Sequence, residues 1–282
     1  MASPSELNVA LDRAALSLRL ADALVVTAGA GMGVDAGLPD FRGPEGFWRA
    51  YPAVARLGLR FEEMAQPRWF RRDPELAWAF YGHRLNLYRA TAPHDGYRRL
   101  RDWIRQKPAG GFVFTSNVDG HFQRAGFDPA QIVECHGSVR HFQCVTPCTD
   151  ATWEAPPEPI AIVETTFRAR PPLPRCPRCG GLARPNVLMF GDCFWVGART
   201  QAQEAQLETW RLARRERGAR LAVIELGAGR AVPTVRFFSE QLAAVSGGAL
   251  IRINPRESEV PPGGISISLG AADALAQLAA RL

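Results

Sequence analysis

The sequence has almost no lysine: among 34 basic residues only Lys107 is not an arginine. The formal charge of +6 is therefore an arginine charge, and modification of the chain's own lysines has a single target. No apolar run approaches the roughly 18–20 residues that a membrane span requires. The opening Met1-Ala2-Ser3-Pro4-Ser5-Glu6-Leu7-Asn8 also lacks a basic stretch followed by an apolar one. A cytoplasmic protein with no membrane partner is expected. Internal repeats and low-complexity tracts are missing too, which excludes solenoids and long disordered segments. The basic cluster Arg211, Arg214, Arg215 and Arg217 is interleaved with Glu204, Glu208 and Glu216. Mixed signs at that spacing predict a solvated helix face, so nucleic acid is not an expected partner.

What is present is a regular alternation. Apolar, β-branched runs recur at 23–27, 112–115, 131–134, 221–226, 249–253 and 265–269, and helix-like segments lie at 6–21, 74–90, 96–106, 199–217, 234–245 and 271–282. That order predicts an α/β fold, a Rossmann-like doubly wound parallel sheet whose ligand sits at the carboxyl ends of the strands. Two insertions interrupt it, a helical module at 44–84 and a proline-rich module at 141–184. The sheet domain is then assembled from 1–43, 85–140 and 185–282. The second insertion has little hydrophobic periodicity, and so thin a core calls for an external staple.

Four cysteines in that insertion supply one. Cys144, Cys148, Cys176 and Cys179 form paired knuckles, the second within Cys-Pro-Arg-Cys-Gly-Gly. Four thiolates suit a tetrahedral, structural zinc ion with no open position for catalysis. Four ordinary thiols or a redox pair is the competing reading.

The first apolar run leads into Ala28-Gly29-Ala30-Gly31-Met32-Gly33 and on to Gly37-Leu38-Pro39-Asp40-Phe41-Arg42-Gly43. Glycines at 29, 31 and 33 would let backbone N–H groups approach a pyrophosphate at a strand-to-helix turn, although such turns are often merely tight connections. Thr115-Ser116-Asn117-Val118-Asp119-Gly120 closes another run, where polar side chains either face the cofactor crevice or cap the next element. Glu134-Cys135-His136-Gly137-Ser138 closes a third. A histidine with near-neutral basicity beside a glycine suits a general base, although a lone histidine is more often structural. Arg184-Pro185-Asn186-Val187-Leu188-Met189-Phe190-Gly191-Asp192 reads as a buried strand re-entering the sheet domain.

Taken in order, these segments resemble the signatures of the sirtuins, NAD-dependent protein-lysine deacylases that release nicotinamide and O-acyl-ADP-ribose. The resemblance implies NAD as co-substrate, held by Gly29, Ala30, Gly31, Leu38, Asp40, Phe41, Arg42, Asn117, Asp119, Gly227 and Asn254. It implies that Asn117 orients the nicotinamide ribose and a water, that Asp119 accepts from the nicotinamide carboxamide, and that His136 is the base. Phe41 would shield the anomeric carbon. An acylated-lysine peptide would lie along Val187, Phe190 and Gly191 by β-augmentation.

Three departures stand out. Gly33 replaces a serine of the family pattern, Ser116 replaces a glutamine, and Gly227-Ala228-Gly229 stands for Gly-Thr-Ser. They keep alive an ADP-ribosyltransferase or NAD hydrolase, and the basic composition keeps alive a non-enzymatic zinc-containing adaptor or nucleic-acid binder. Tyr81 and Arg84, three apart on a helix, share a face. They resemble the Phe-Tyr-x-x-Arg of sirtuins that remove succinyl and malonyl groups, though Tyr and Arg at this spacing are also common on surfaces. Oligomeric state is not legible.

Overall fold

The computed structural model describes residues 3–39, 47, 51–56 and 58–282, without the side chain of Ala53. In chain order its helices are α1 (Pro4–Leu20), α2 (Gly31–Val34), α3 (Pro52–Ala55), α4 (Phe61–Met64), α5 (Trp69–Arg72), α6 (Pro74–Ala90), α7 (Asp95–Gln106), α8 (His121–Arg124), α9 (Ala198–Glu216), α10 (Thr234–Ser246) and α11 (Ala271–Ala279). The strands are β1 (Ala23–Ala28), β2 (Gly111–Thr115), β3 (Ile132–Glu134), β4 (Gly137–Cys144), β5 (Trp153–Glu154), β6 (Ile162–Val163), β7 (Arg168–Ala169), β8 (Ala183–Val187), β9 (Leu221–Leu226), β10 (Ala249–Ile253) and β11 (Ile265–Ile267). No helix among the described residues is long and apolar enough to cross a membrane.

Six strands form one parallel sheet in the order β11-β10-β9-β1-β2-β3. The chain winds outward from β1 to β3, then resumes on the other side of β1 at β9. The strand order therefore reverses between β1 and β9, and the crevice at their carboxyl ends is the expected ligand site. Every residue of β1, β2 and β9 is buried, the mark of a parallel sheet covered on both faces. Period-two alternation divides β1: Leu24, Val26 and Ala28 join the core under α1, α7 and α11, while Ala23 and Val25 join the core under α9 and α10. Ends are set locally. Ser3 and Glu6 form a reciprocal capping box on α1, with bonds of 3.2 and 2.7 Å. Asp73 caps α6 ahead of Pro74 at 3.2 Å.

The two insertions do not pack separately. Trp69, Phe70, Trp78, Phe80 and Tyr81 from the helical segment share one apolar cluster with Val145, Phe167 and Ala169 from the proline-rich segment. Polar ties cross between them: Trp78 Nε1 donates to the Ala183 carbonyl at 3.0 Å, and Asn86 bonds the Ile160 backbone in both directions at 2.8 and 3.0 Å. The core missing from 141–184 is thus borrowed from 69–81. Strands β5 to β7 of two residues each are too short to show periodicity, which is why the sequence pattern hid the contribution.

Candidate active site

Three strand ends and one returning strand build the site. At the end of β1, Gly29 N–H bonds the Leu226 carbonyl at 2.9 Å and Gly31 N–H bonds the Gly227 carbonyl at 3.0 Å. A Cβ on Gly29 would lie 2.7 Å from Ala228 Cα, and one on Gly31 would lie 2.7 Å from Gly227 Cα. Gly227 itself has φ +61°. The physical reason for these glycines is therefore corrected: they let two loops press backbone to backbone across the switch point, and the N–H groups of 29 and 31 serve that contact. Ala30 stands exposed at the tip. Leu38, buried, packs where a side chain on Gly33 would meet it at 3.0 Å. Asp40, Phe41 and Arg42 lie outside the described residues.

At the end of β2 the Thr115 hydroxyl donates to the Ala28 carbonyl at 2.9 Å and accepts the Asn117 N–H at 3.0 Å, locking the loop onto β1. Asn117 is buried, and its Nδ2 has no protein partner. A buried unsatisfied donor is costly unless a ligand or water completes it. Asp119 is also buried and accepts the His121 N–H at 2.8 Å, across Gly120 in the left-handed region. Burial pushes the Asp119 carboxyl up, while His121, Arg84 and Arg124 pull it back. A buried carboxylate acceptor beside an unfilled amide donor suits a carboxamide, so these residues fit the nicotinamide end of NAD.

His136 follows β3 and is half-buried; burial holds its imidazole below the ordinary value. It is thus a neutral acceptor at neutral pH, the state a base requires. Gly137, with φ +74°, pairs with Val187, and a Cβ there would sit 2.0 Å from the Asn186 oxygen. The next bond carries the geometry onward: Leu188 N–H donates to the His136 carbonyl at 3.0 Å. His136 and the 187–191 segment are therefore neighbours. Val187 is buried, Leu188 and Phe190 are exposed, and Gly191 turns the chain at φ +67°. Asp192 is structural, held by a fully buried two-bond pair with Arg184 at 2.6 and 3.0 Å.

Tyr81 and Arg84 are not a surface pair. Both are buried on the inner face of α6; the Arg84 guanidinium donates to the Tyr88 hydroxyl at 3.0 and 2.8 Å and lies within 6 Å of four aromatic rings. Asn254 is fully buried and works on the protein itself: its Nδ2 donates to the Ala228 carbonyl at 2.9 Å, and its Oδ1 accepts two N–H groups at 3.0 Å. It braces the crevice loops.

Sequence reasoning missed a buried charge network. Glu225 and Arg252 face each other in register on β9 and β10, with a two-bond contact of 2.5 and 2.9 Å, and Arg252 also reaches Glu240 at 2.7 Å. One charge of each sign in two neighbouring apolar runs was the available signal. The sequence reading also passed over Tyr97 and His121.

The four cysteines converge. Sγ atoms of Cys144 and Cys179 are 3.7 Å apart, those of Cys148 and Cys176 are 3.6 Å apart, and all four lie within 4.8 Å of one another. Tetrahedral zinc with bonds of about 2.3 Å sets its sulfurs about 3.8 Å apart. Gly180, at φ +68°, turns the second knuckle. The set fits structural zinc.

Comparison with known proteins gives a consistent result. The Sir2 family profile matches residues 29–209. An NAD-dependent protein deacylase of Thermococcus kodakarensis is 31% identical over 252 residues, covering 89% of this chain and 87% of that protein. One from Aquifex aeolicus is 30% identical over 237 residues, covering 84% and 85%. Among solved structures, a Sir2 homologue in complex with NAD is 27% identical, with a TM-score of 0.68 over 96% of this chain and 93% of that one.

Proposed function

Because the chain belongs to the Sir2 family, we propose that it is an NAD-dependent protein-lysine deacylase whose centre is the carboxyl edge of β1, β2 and β3. The observation that carries this reading is the bond from Leu188 N–H to the His136 carbonyl. It sets a base and an extended peptide platform side by side, next to the buried pair Asn117 and Asp119. A hydrolase acting on NAD alone has no use for that platform.

The roles follow from the chemistry of each group. The 29–31 and 227–228 loops bound the dinucleotide crevice, with Asn254 tying Ala228 to the 256–257 turn. Asp119 accepts from the nicotinamide carboxamide, and Asn117 donates its free amide to the ribose side or to a water. An acylated-lysine peptide lies along Val187 to Gly191 with backbone carbonyls there as its acceptors, since the Leu188 and Phe190 N–H groups already bond His136 and Ala65. Once nicotinamide leaves and the acyl oxygen has attacked the anomeric carbon, neutral His136 takes a proton from a ribose hydroxyl. The ribose oxygen so freed attacks the acyl carbon, one water adds, and the amine departs with a proton as free lysine, leaving the acyl group as an ester on ADP-ribose. Water must be kept from that carbon, a task we give to the buried Leu38. Zinc, held by the four cysteines, supplies rigidity to the peptide side and no chemistry. Thiolates serving as ligands suit a reducing compartment, and on that ground we propose a cytoplasmic location.

For the acyl group we assign Tyr81 and Arg84 as the pair that admits a carboxylate-bearing chain such as succinyl, a guanidinium with a phenol being suited to that anion. The decisive experiment is mass spectrometry of products from NAD with acetyl-, succinyl- and unmodified peptides. O-acyl-ADP-ribose in step with deacylated peptide is expected; free ADP-ribose with untouched peptide, or an ADP-ribosylated protein, overturns the reading.

A further inference from the structure

Behind Asp119 lie polar groups that the reaction above does not use. His121 and Tyr97 are fully buried, and neither ring nitrogen of His121 nor the Tyr97 hydroxyl has a protein partner. The two rings meet edge-on, with centroids 5.7 Å apart, amid Leu100, Phe122 and Phe127. The neighbouring His94 differs: its Nε2 bonds the Met32 carbonyl and its Nδ1 accepts the Gly96 N–H, each at 3.1 Å. An unsatisfied buried polar atom bears the full cost of its lost hydration. Leucine and phenylalanine would fill the same space more stably, so three such atoms on two rings in edge contact call for a function beyond packing. His121 also touches the site directly, since its backbone N–H is the 2.8 Å donor to Asp119 Oδ1.

We propose that His121 and Tyr97 are positioning residues for the nicotinamide end of NAD. The His121 backbone N–H, with a water shared by its ring and the Tyr97 hydroxyl, holds the Asp119 carboxylate where it accepts from the carboxamide. A buried water bridging two to four polar atoms is the ordinary way such groups are completed. The inference rests on the role given to Asp119 above. It also separates the two substrates: the peptide platform at 187–191 hangs from β8 and from the Ala65 carbonyl, which accepts Phe190 N–H at 3.0 Å, and does not pass through this cluster.

The test is steady-state deacylation of an acetyl-peptide by His121→Leu, His121→Gln and Tyr97→Phe, with zinc content and unfolding midpoint measured on each. For His121→Leu, the KM for NAD and the nicotinamide concentration giving half-inhibition should both rise about three- to tenfold, the effect of one ordinary hydrogen bond. The KM for peptide should stay unchanged. His121→Gln should recover part of the loss, and Tyr97→Phe should shift the same two constants yet add little on top of His121→Leu. A fall in kcat alone, with both constants unmoved, overturns the proposal. Asp119→Asn separates the two levels: if it leaves nicotinamide inhibition unchanged, the role of Asp119 fails and this inference with it. If Asp119→Asn shifts inhibition while the His121 and Tyr97 variants do not, only this inference fails. Should His121→Leu not fold, Tyr97→Phe removes a single unpartnered oxygen and carries the test.

Discussion

The parallel sheet and the inserted unit solve the same problem in opposite ways. The sheet buries whole strands of five or six residues on both faces, so its stability comes from repetition, and the proposed chemistry sits where the repetition stops, at Asn117 and His136. The inserted unit has strands β5 to β7 of two residues, and it is held by an aromatic cluster, a few cross-ties and four thiols. One half can lose a contact and keep its shape; the other depends on particular atoms. The site lies on the seam, where the chain passes from β3 of the parallel sheet into β4 of a separate three-stranded antiparallel sheet, β5-β4-β8, with Gly137 opposite Val187.

The comparison is broken most severely through the metal. Cys176→Ser should reduce zinc from one equivalent to near none, removing a binding free energy of roughly 10 kcal/mol or more, and limited proteolysis should cut within 141–184 while the sheet persists. Cleavage spread evenly over the chain would erase the distinction. Next comes the seam. Gly137→Ala forces a Cβ to within 2.0 Å of the Asn186 oxygen at φ +74°. We expect a loss of roughly 3 kcal/mol or more in denaturant unfolding, with peptide turnover falling further than NAD binding.

A smaller effect separates acyl groups. Arg84→Met should weaken desuccinylation by roughly 1.5–3 kcal/mol, the range for hydrogen bonds to a charged group, and leave deacetylation nearly intact. Equal losses on both substrates would make Arg84 purely structural, as its bonds to Tyr88 and its aromatic surroundings also allow. The last effect is acid sensitivity. Burial, with Arg199 and Arg140, lowers His141 on β4 from 6.5 to about 4, and burial shifts His83 on α6 the same way. Between those values the unfolded chain binds a proton that the folded one refuses, so stability falls as pH drops through 6.5 toward 4. His141→Gln should flatten that part of the curve. An unfolding midpoint constant over that range in the native protein would contradict it.

Legibility in the sequence divides along the same line. The six sheet strands and the long helices were readable to within three residues because each is a run long enough to show its period. The four cysteines were readable from spacing alone. The shared core of the insertions was not, because Phe167 and Val145 sit on segments too short to alternate. The reason for Gly29 and Gly31 was misjudged for another cause: a sequence displays the small residue but not the 227–228 loop that presses on it. Arg84 and Tyr81 were correctly placed on one helix face, yet only packing reveals that the face points inward. His121 and Tyr97 were invisible as site residues, since a fully buried polar ring has no sequence mark.

The central claim is that His136, at the seam, is the base of an NAD-dependent deacylation. It is tested most directly by following O-acyl-ADP-ribose formation from NAD and an acetyl-peptide with the native protein and with His136→Ala. The account predicts product from the native protein and a loss of at least about a hundredfold in the variant, with zinc content and unfolding midpoint preserved. Turnover in His136→Ala within a few-fold of the native rate would contradict it.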